Sequence, residues 1–97
     1  LRGRDHGLAG LESVHPGFTA TLARSPREAV RAGTQADVPL LYWTAAAWAA
    51  AIATGKDQPG LIADLPAVEA LVDRALALDP ASAEALAVRA RLAGAAW

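Results

Sequence analysis

The sequence predicts an all-α protein built from antiparallel helix pairs. Three observations carry this reading. The apolar content is 54% and rests on alanine, a strong helix former, more than on the β-branched residues that favour strands. The stretch from Leu40 to Ala53 carries no charge and keeps helical spacing throughout. Pro26, Pro39, Pro66 and Pro80 fall where helices begin or end. With 97 residues, the chain has room for a single helical domain, 1–97, read here as a fragment of a longer chain.

The uncharged stretch is the central helix. Pro39 sits in its first turn, where a missing N–H costs nothing. Leu41, Ala45, Trp48 and Ile52 form one apolar face at i, i+4, i+7 and i+11. Tyr42, Ala46, Ala49 and Ala53 form a second, and Trp43, Ala47 and Ala50 a third. A helix apolar all round is expected to be buried on most sides. A bilayer span needs roughly 20 apolar residues, so a shorter run reads as a core helix.

Upstream, Arg4 to Val14 is a weak helical pattern with Leu8, Leu11 and Val14 on one side. Gly3, Gly7 and Gly10 weaken it, each by up to about 1 kcal/mol relative to alanine, yet they also let another helix approach closely. His15-Pro16-Gly17 breaks it, and Phe18 and Leu22 then point the same way. Ser25-Pro26-Arg27-Glu28 reads as a capped helix start with a capping box. Asp37 or Val38 caps the central helix.

Downstream, Thr54 to Gly60 is a polar loop, and Leu61-Ile62-Ala63 leads back to the core. Asp64 caps a helix whose apolar face is Leu65, Val68, Val72, Ala75 and Leu76, with Glu69, Asp73 and Arg74 on the wet side. Asp79-Pro80 ends it. In the last helix Leu86, Ala90, Ala93 and Trp97 repeat the central spacing and mark its buried face.

Composition limits the chemistry. The absence of cysteine excludes disulfides, thiolate metal sites and a cysteine nucleophile. A formal net charge of −1 argues against nucleic-acid binding, and Arg24, Arg27 and Arg31 read as a solvated helix face. His6 and His15 lack the spacing of a zinc site and read as surface histidines. Asp57, Asp64, Glu69 and Asp73 read as a cap and wet-face residues, not as an acid–base set. There is no Ser-His-Asp set, phosphate loop or metalloprotease motif, so no enzyme, cofactor or metal is expected. Tyr42, Trp43 and Trp48 are the candidate ligand-binding residues, since small-molecule pockets between helices are lined by aromatics with a few polar handles. The competing reading of each is core packing.

Two resemblances follow from the residues. Ala70 to Pro80, Ala-Leu-Val-Asp-Arg-Ala-Leu-Ala-Leu-Asp-Pro, resembles the second helix of a tetratricopeptide repeat; Ala75 and Pro80 match its pattern, while Val68 and the long Thr54–Ala63 connection depart from it. More of the chain resembles the T-component family of TRAP transporters (TatT-like proteins). The resemblance is carried by Leu41-Tyr42-Trp43 with Trp48, by Asp64-Leu65-Pro66-Ala67-Val68-Glu69-Ala70-Leu71, by Leu78-Asp79-Pro80, and by Pro16-Gly17-Phe18 with Leu22. It implies a tetratricopeptide-like periplasmic lipoprotein, lipid-anchored through a segment absent from this chain. It further implies a homotrimer that works with the solute-binding P subunit of the transporter and presents a small, partly hydrophobic ligand. The alternative is a tetratricopeptide-type adaptor that binds a peptide or protein in a helical groove.

Overall fold

A computed structural model describes residues 2–55, 60 and 63–94. Among these there is no strand, and six helices follow one another: α1 (Arg2–Val14), α2 (Phe18–Arg24), α3 (Pro26–Val30), α4 (Val38–Thr54), α5 (Leu65–Leu78) and α6 (Ala83–Gly94). A 3₁₀ turn, Gln35–Asp37, leads into α4. The all-α expectation holds. Lys56-Asp57-Gln58-Pro59, Leu61-Ile62 and Trp97, on which parts of the loop, core-return and last-helix readings fell, lie outside the described residues.

Helix α4 is the axis, packed on α1, α5 and α6. Its first face is buried as the spacing predicts: Leu41, Ala45 and Ile52 are fully buried and Trp48 nearly so. With the 3₁₀ turn it makes a 20-residue apolar run, long enough to cross a membrane by length and composition. Packing, not length, makes it a core helix, because helices cover it on several sides. The third face is the open side, where Trp43 is 52% exposed and Ala50 is exposed.

Helix α1 runs antiparallel to α4: a Cβ on Gly3 would meet Ala47 and Trp43, one on Gly7 would meet Thr44, and one on Gly10 would meet Leu40. The three glycines thus bring two helices close. Leu11 is fully buried and Leu8 half-buried, but Val14, the last residue of the helix, is 57% exposed. Gly17 takes a left-handed conformation (φ 89°), which glycine adopts freely. The Glu12 carboxylate accepts from the backbone N–H groups of Gly17 (2.5 Å) and Thr19 (3.0 Å), closing the turn into α2. Those bonds, Thr19 first and Gly17 next, hold the Glu12 carboxyl below the usual carboxylate range.

Several local expectations are corrected. Pro26 opens α3, but the Ser25 side chain forms no cap. Asp37 stands before α4 without capping it; its carboxylate accepts from the Thr34 N–H (2.9 Å) and hydroxyl (3.2 Å), completing the capping box of the 3₁₀ turn. In α5 the buried set adds Ala67, Ala70 and fully buried Leu71, whereas Leu65 and Leu76 are only half-buried. The supposed wet side is half-buried as well. Arg89 of α6 reaches Glu69 (3.3 Å) and Asp73 (3.5 Å), and Arg74 donates to the Gly33 carbonyl (2.9 Å). Helix α6 turns a different face inward: Ala85, Val88 and Leu92 are buried, while Leu86, Ala90 and Ala93 are exposed. Ser82 caps its start, its hydroxyl accepting from the Ala85 N–H at 3.2 Å.

Candidate ligand cleft

Where the start of α1, α2, the middle of α4 and the start of α5 converge, they leave an open cleft of about 490 Å³. Each wall follows from local sequence. Helix α1 contributes Arg4, Asp5 and Leu8, spaced so that Arg4 and Leu8 lie one turn apart. The short α2 contributes Leu22, and Pro26 closes that side as α3 begins. Helix α5 contributes Asp64 and Pro66 because the Asp-Leu-Pro start places the acidic residue just before the first turn.

Trp48 is the hub. Its indole N–H donates to Asp64 Oδ2 at 3.3 Å. The Arg4 guanidinium lies over its ring, 5.1 Å from the centroid, within the range of a cation–π contact. Arg4 also reaches Asp5 Oδ1 through Nε (3.0 Å) and Nη2 (2.9 Å). One aromatic ring therefore carries a cation on its face and an anion at its edge, beside apolar Leu8, Leu22, Pro26 and Pro66. The arrangement can hold and orient a small molecule. It offers no nucleophile set beside a base.

The sequence-predicted residues do not converge here. Trp48 lines the cleft. Trp43 borders two shallow hollows on another side of the molecule, of about 270 and 260 Å³, with Gly3 and His6. Tyr42 is half-buried and packs against the core. Asp64, read as a cap, forms no side-chain cap; its carboxylate is turned to Trp48 instead. Arg4 and Asp5 escaped sequence reasoning. No local spacing joins Arg4, Trp48 and Asp64; the α1–α4 approach brings Arg4 to Trp48, and the α4–α5 packing brings Asp64.

A second polar cluster lies at the other end of α1. His15, read as a surface residue, is 19% exposed in its side chain, and its Nε2 donates to Asp37 Oδ2 at 2.6 Å. Burial pushes the Asp37 carboxyl up, but the hydrogen bonds from His15 and Thr34 outweigh it and hold the group below its ordinary value. The neighbouring hydroxyl, Thr34, sits on the carboxylate and not on the imidazole, so the nucleophile–histidine–carboxylate order of a hydrolase is not formed. The pair ties the end of α1 to the start of α4. Among the described residues no group of His, Asp and Glu is placed to hold a metal ion.

Comparison with known proteins adds one finding: the family model described as TRAP transporter T-component matches residues 1–91. No curated protein matches the chain, nor does any solved structure.

Proposed function

The chain belongs to the TRAP transporter T-component family, and from that premise we propose that it is a non-enzymatic accessory component of a TRAP-type solute transporter, assisting ligand binding or delivery together with the solute-binding P subunit. The family match across residues 1–91 carries this reading. The cleft beside Trp48 supports it: about 490 Å³ lies within the range of small-molecule pockets, and its walls combine apolar side chains with a few polar groups. Of the three aromatic candidates, Trp48 is the ligand-facing one. Tyr42 serves packing, and Trp43 stands on a different face.

The finer parts of the proposal are a periplasmic location, a lipid anchor on the longer chain, and assembly as a homotrimer. A closed cyclic assembly is an ordinary outcome for a self-associating surface.

The test is co-expression of the full-length chain with the P subunit of the transporter encoded beside it, followed by affinity capture and sedimentation equilibrium. Co-purification with the P subunit and a trimeric mass are expected. Failure to associate with either the P subunit or the membrane subunits would overturn the accessory reading; a monomeric mass with intact association would remove only the trimer.

A further inference from the structure

We propose that the cleft beside Trp48 binds a zwitterion of the amino-acid class, its carboxylate on Arg4, its ammonium on Asp64, and an apolar side chain along Leu8, Leu22 and Pro26. The proposal rests on the reading of this cleft as the protein's ligand site.

Three observations point the same way. First, the two charges are fixed on one scaffold. Arg4 lies on the face of the Trp48 ring at 5.1 Å, and Asp64 meets the indole N–H at 3.3 Å, so the same rigid side chain positions both. Second, both groups keep unused capacity. Arg4 spends Nε and Nη2 on a single oxygen of Asp5, which leaves Nη1 without a partner among the described residues. Asp64 gives Oδ2 to the indole, which leaves Oδ1 without one among the same residues. Third, the remaining wall is apolar: Leu22 is 2% exposed, and Leu8 and Pro26 are half-buried beside it.

Charge decides among ligand classes. A simple anion that reached Arg4 would meet the carboxylates of Asp5 and Asp64. A simple cation on Asp64 would meet the guanidinium. A neutral apolar molecule would strip water from the Arg4–Asp5 pair and from Asp64 and return nothing, and charges are costly to desolvate. A molecule bearing both charges next to one another satisfies both at once, through charge-assisted hydrogen bonds.

The experiment uses the Trp48 indole N–H as a reporter in ¹⁵N-labelled protein, identified by its loss in Trp48→Phe. L-leucine and L-phenylalanine are titrated as zwitterions, leucinamide as the cation and N-acetyl-L-leucine as the anion. The zwitterions are expected to shift the signal saturably, and the singly charged analogues to bind about tenfold more weakly or worse, because each leaves one half-buried charge of the cleft unanswered. Asp64→Asn should reduce leucine to the level of N-acetyl-leucine, and Arg4→Gln should reduce it to the level of leucinamide. The wild-type comparison needs no variant to fold. Equal binding of all three leucine derivatives, or no saturable shift with either amino acid, overturns the proposal. Capture of the P subunit, measured on the same preparation, separates the two readings. A chain that captures the P subunit but ignores both amino acids loses the zwitterion proposal and keeps its accessory role.

Discussion

Against α1, helix α4 is met by glycines; against α5, it is met by full-sized side chains. The α4–α5 side holds most of the large, fully buried residues, Leu41, Ile52, Val68, Leu71 and Val72. Its stability comes from apolar area removed from water, and it tolerates repacking as cores do. On the α1 side the space that side chains would fill is absent. A Cβ on Gly7 would lie 1.9 Å from Thr44 Oγ1 and 3.3 Å from the Thr44 Cα, so backbone meets backbone with almost no clearance. The first contact is rich in area and forgiving in shape; the second is poor in area and strict in shape. The cleft depends on the strict one, because Arg4 reaches Trp48 only if α1 lies this close.

The largest effect is expected from Trp48→Ala. Trp48 is 6% exposed and also loses its bond to Asp64, so a destabilisation of about 3–5 kcal/mol follows from cavity formation. Trp43→Ala, five positions away on the same helix, should change stability by less than about 1 kcal/mol, because that ring is 52% exposed. The sequence alone offers the same two readings, ligand pocket or core, for both tryptophans. Urea unfolding of the two variants separates them, and equal losses would mean that α4 is covered on its third face too.

Gly7→Ala tests the strict side. In an open helix this change stabilises by up to about 1 kcal/mol. Here the sign should reverse, with a loss of about 3 kcal/mol from overpacking against Thr44. Thr44 also buries a hydroxyl with no partner among the described residues, so adding Thr44→Ala to Gly7→Ala should recover part of the loss. A Gly7→Ala protein as stable as the wild type would show that α1 and α4 sit further apart and would weaken the basis of the cleft.

These two contacts also show what the sequence discloses. Hydrophobic spacing exposes the first face of α4 and half of α5, because a leucine or valine announces burial by its own chemistry. Glycine carries no such signal. Gly3, Gly7 and Gly10 suggest close approach, but nothing local says which helix approaches, and Arg4, Trp48 and Asp64 therefore stay scattered in the sequence. Asp64 shows the same limit from the other side. Its place before Leu65-Pro66 marks a helix start correctly, yet its side chain answers to Trp48, sixteen residues away.

The far end of the α1–α4 contact is held by polarity instead of shape. Asp37→Asn should cost about 1–2 kcal/mol at neutral pH, since it weakens the bonds from His15 and Thr34. The pH dependence has a definite sign. With its folded-state value depressed below the ordinary 3.8, Asp37 contributes fully above its unfolded value, and the contribution is lost as pH falls through the folded one. The gap between wild type and Asp37→Asn should therefore close as the solution is acidified below about pH 4. Glu12, depressed by its own backbone bonds, titrates in the same direction in both proteins and cancels from the difference. A gap that stays constant down to pH 2 would place the Asp37 carboxylate outside the contact.

At the edge of the molecule α6 packs on both α4 and α5. Spacing favours Leu86, Ala90 and Ala93 as its buried stripe, while the structure buries Ala85, Val88 and Leu92. The two stripes differ by a rotation of about 130°, more than the step of one helical residue. Periodicity alone does not choose between them, because alanines populate both. Packing chooses, because Val88 and Leu92 lie against the alanines of α4 and remove more apolar area from water than alanines would. Leu86→Ser should then leave stability within about 0.5 kcal/mol of wild type, as a surface change does, against the clear loss expected from Leu92→Ala. If Leu86→Ser instead destabilises as much as Leu92→Ala, the helix is rotated about its axis, and α4 meets α6 through the stripe the periodicity favours.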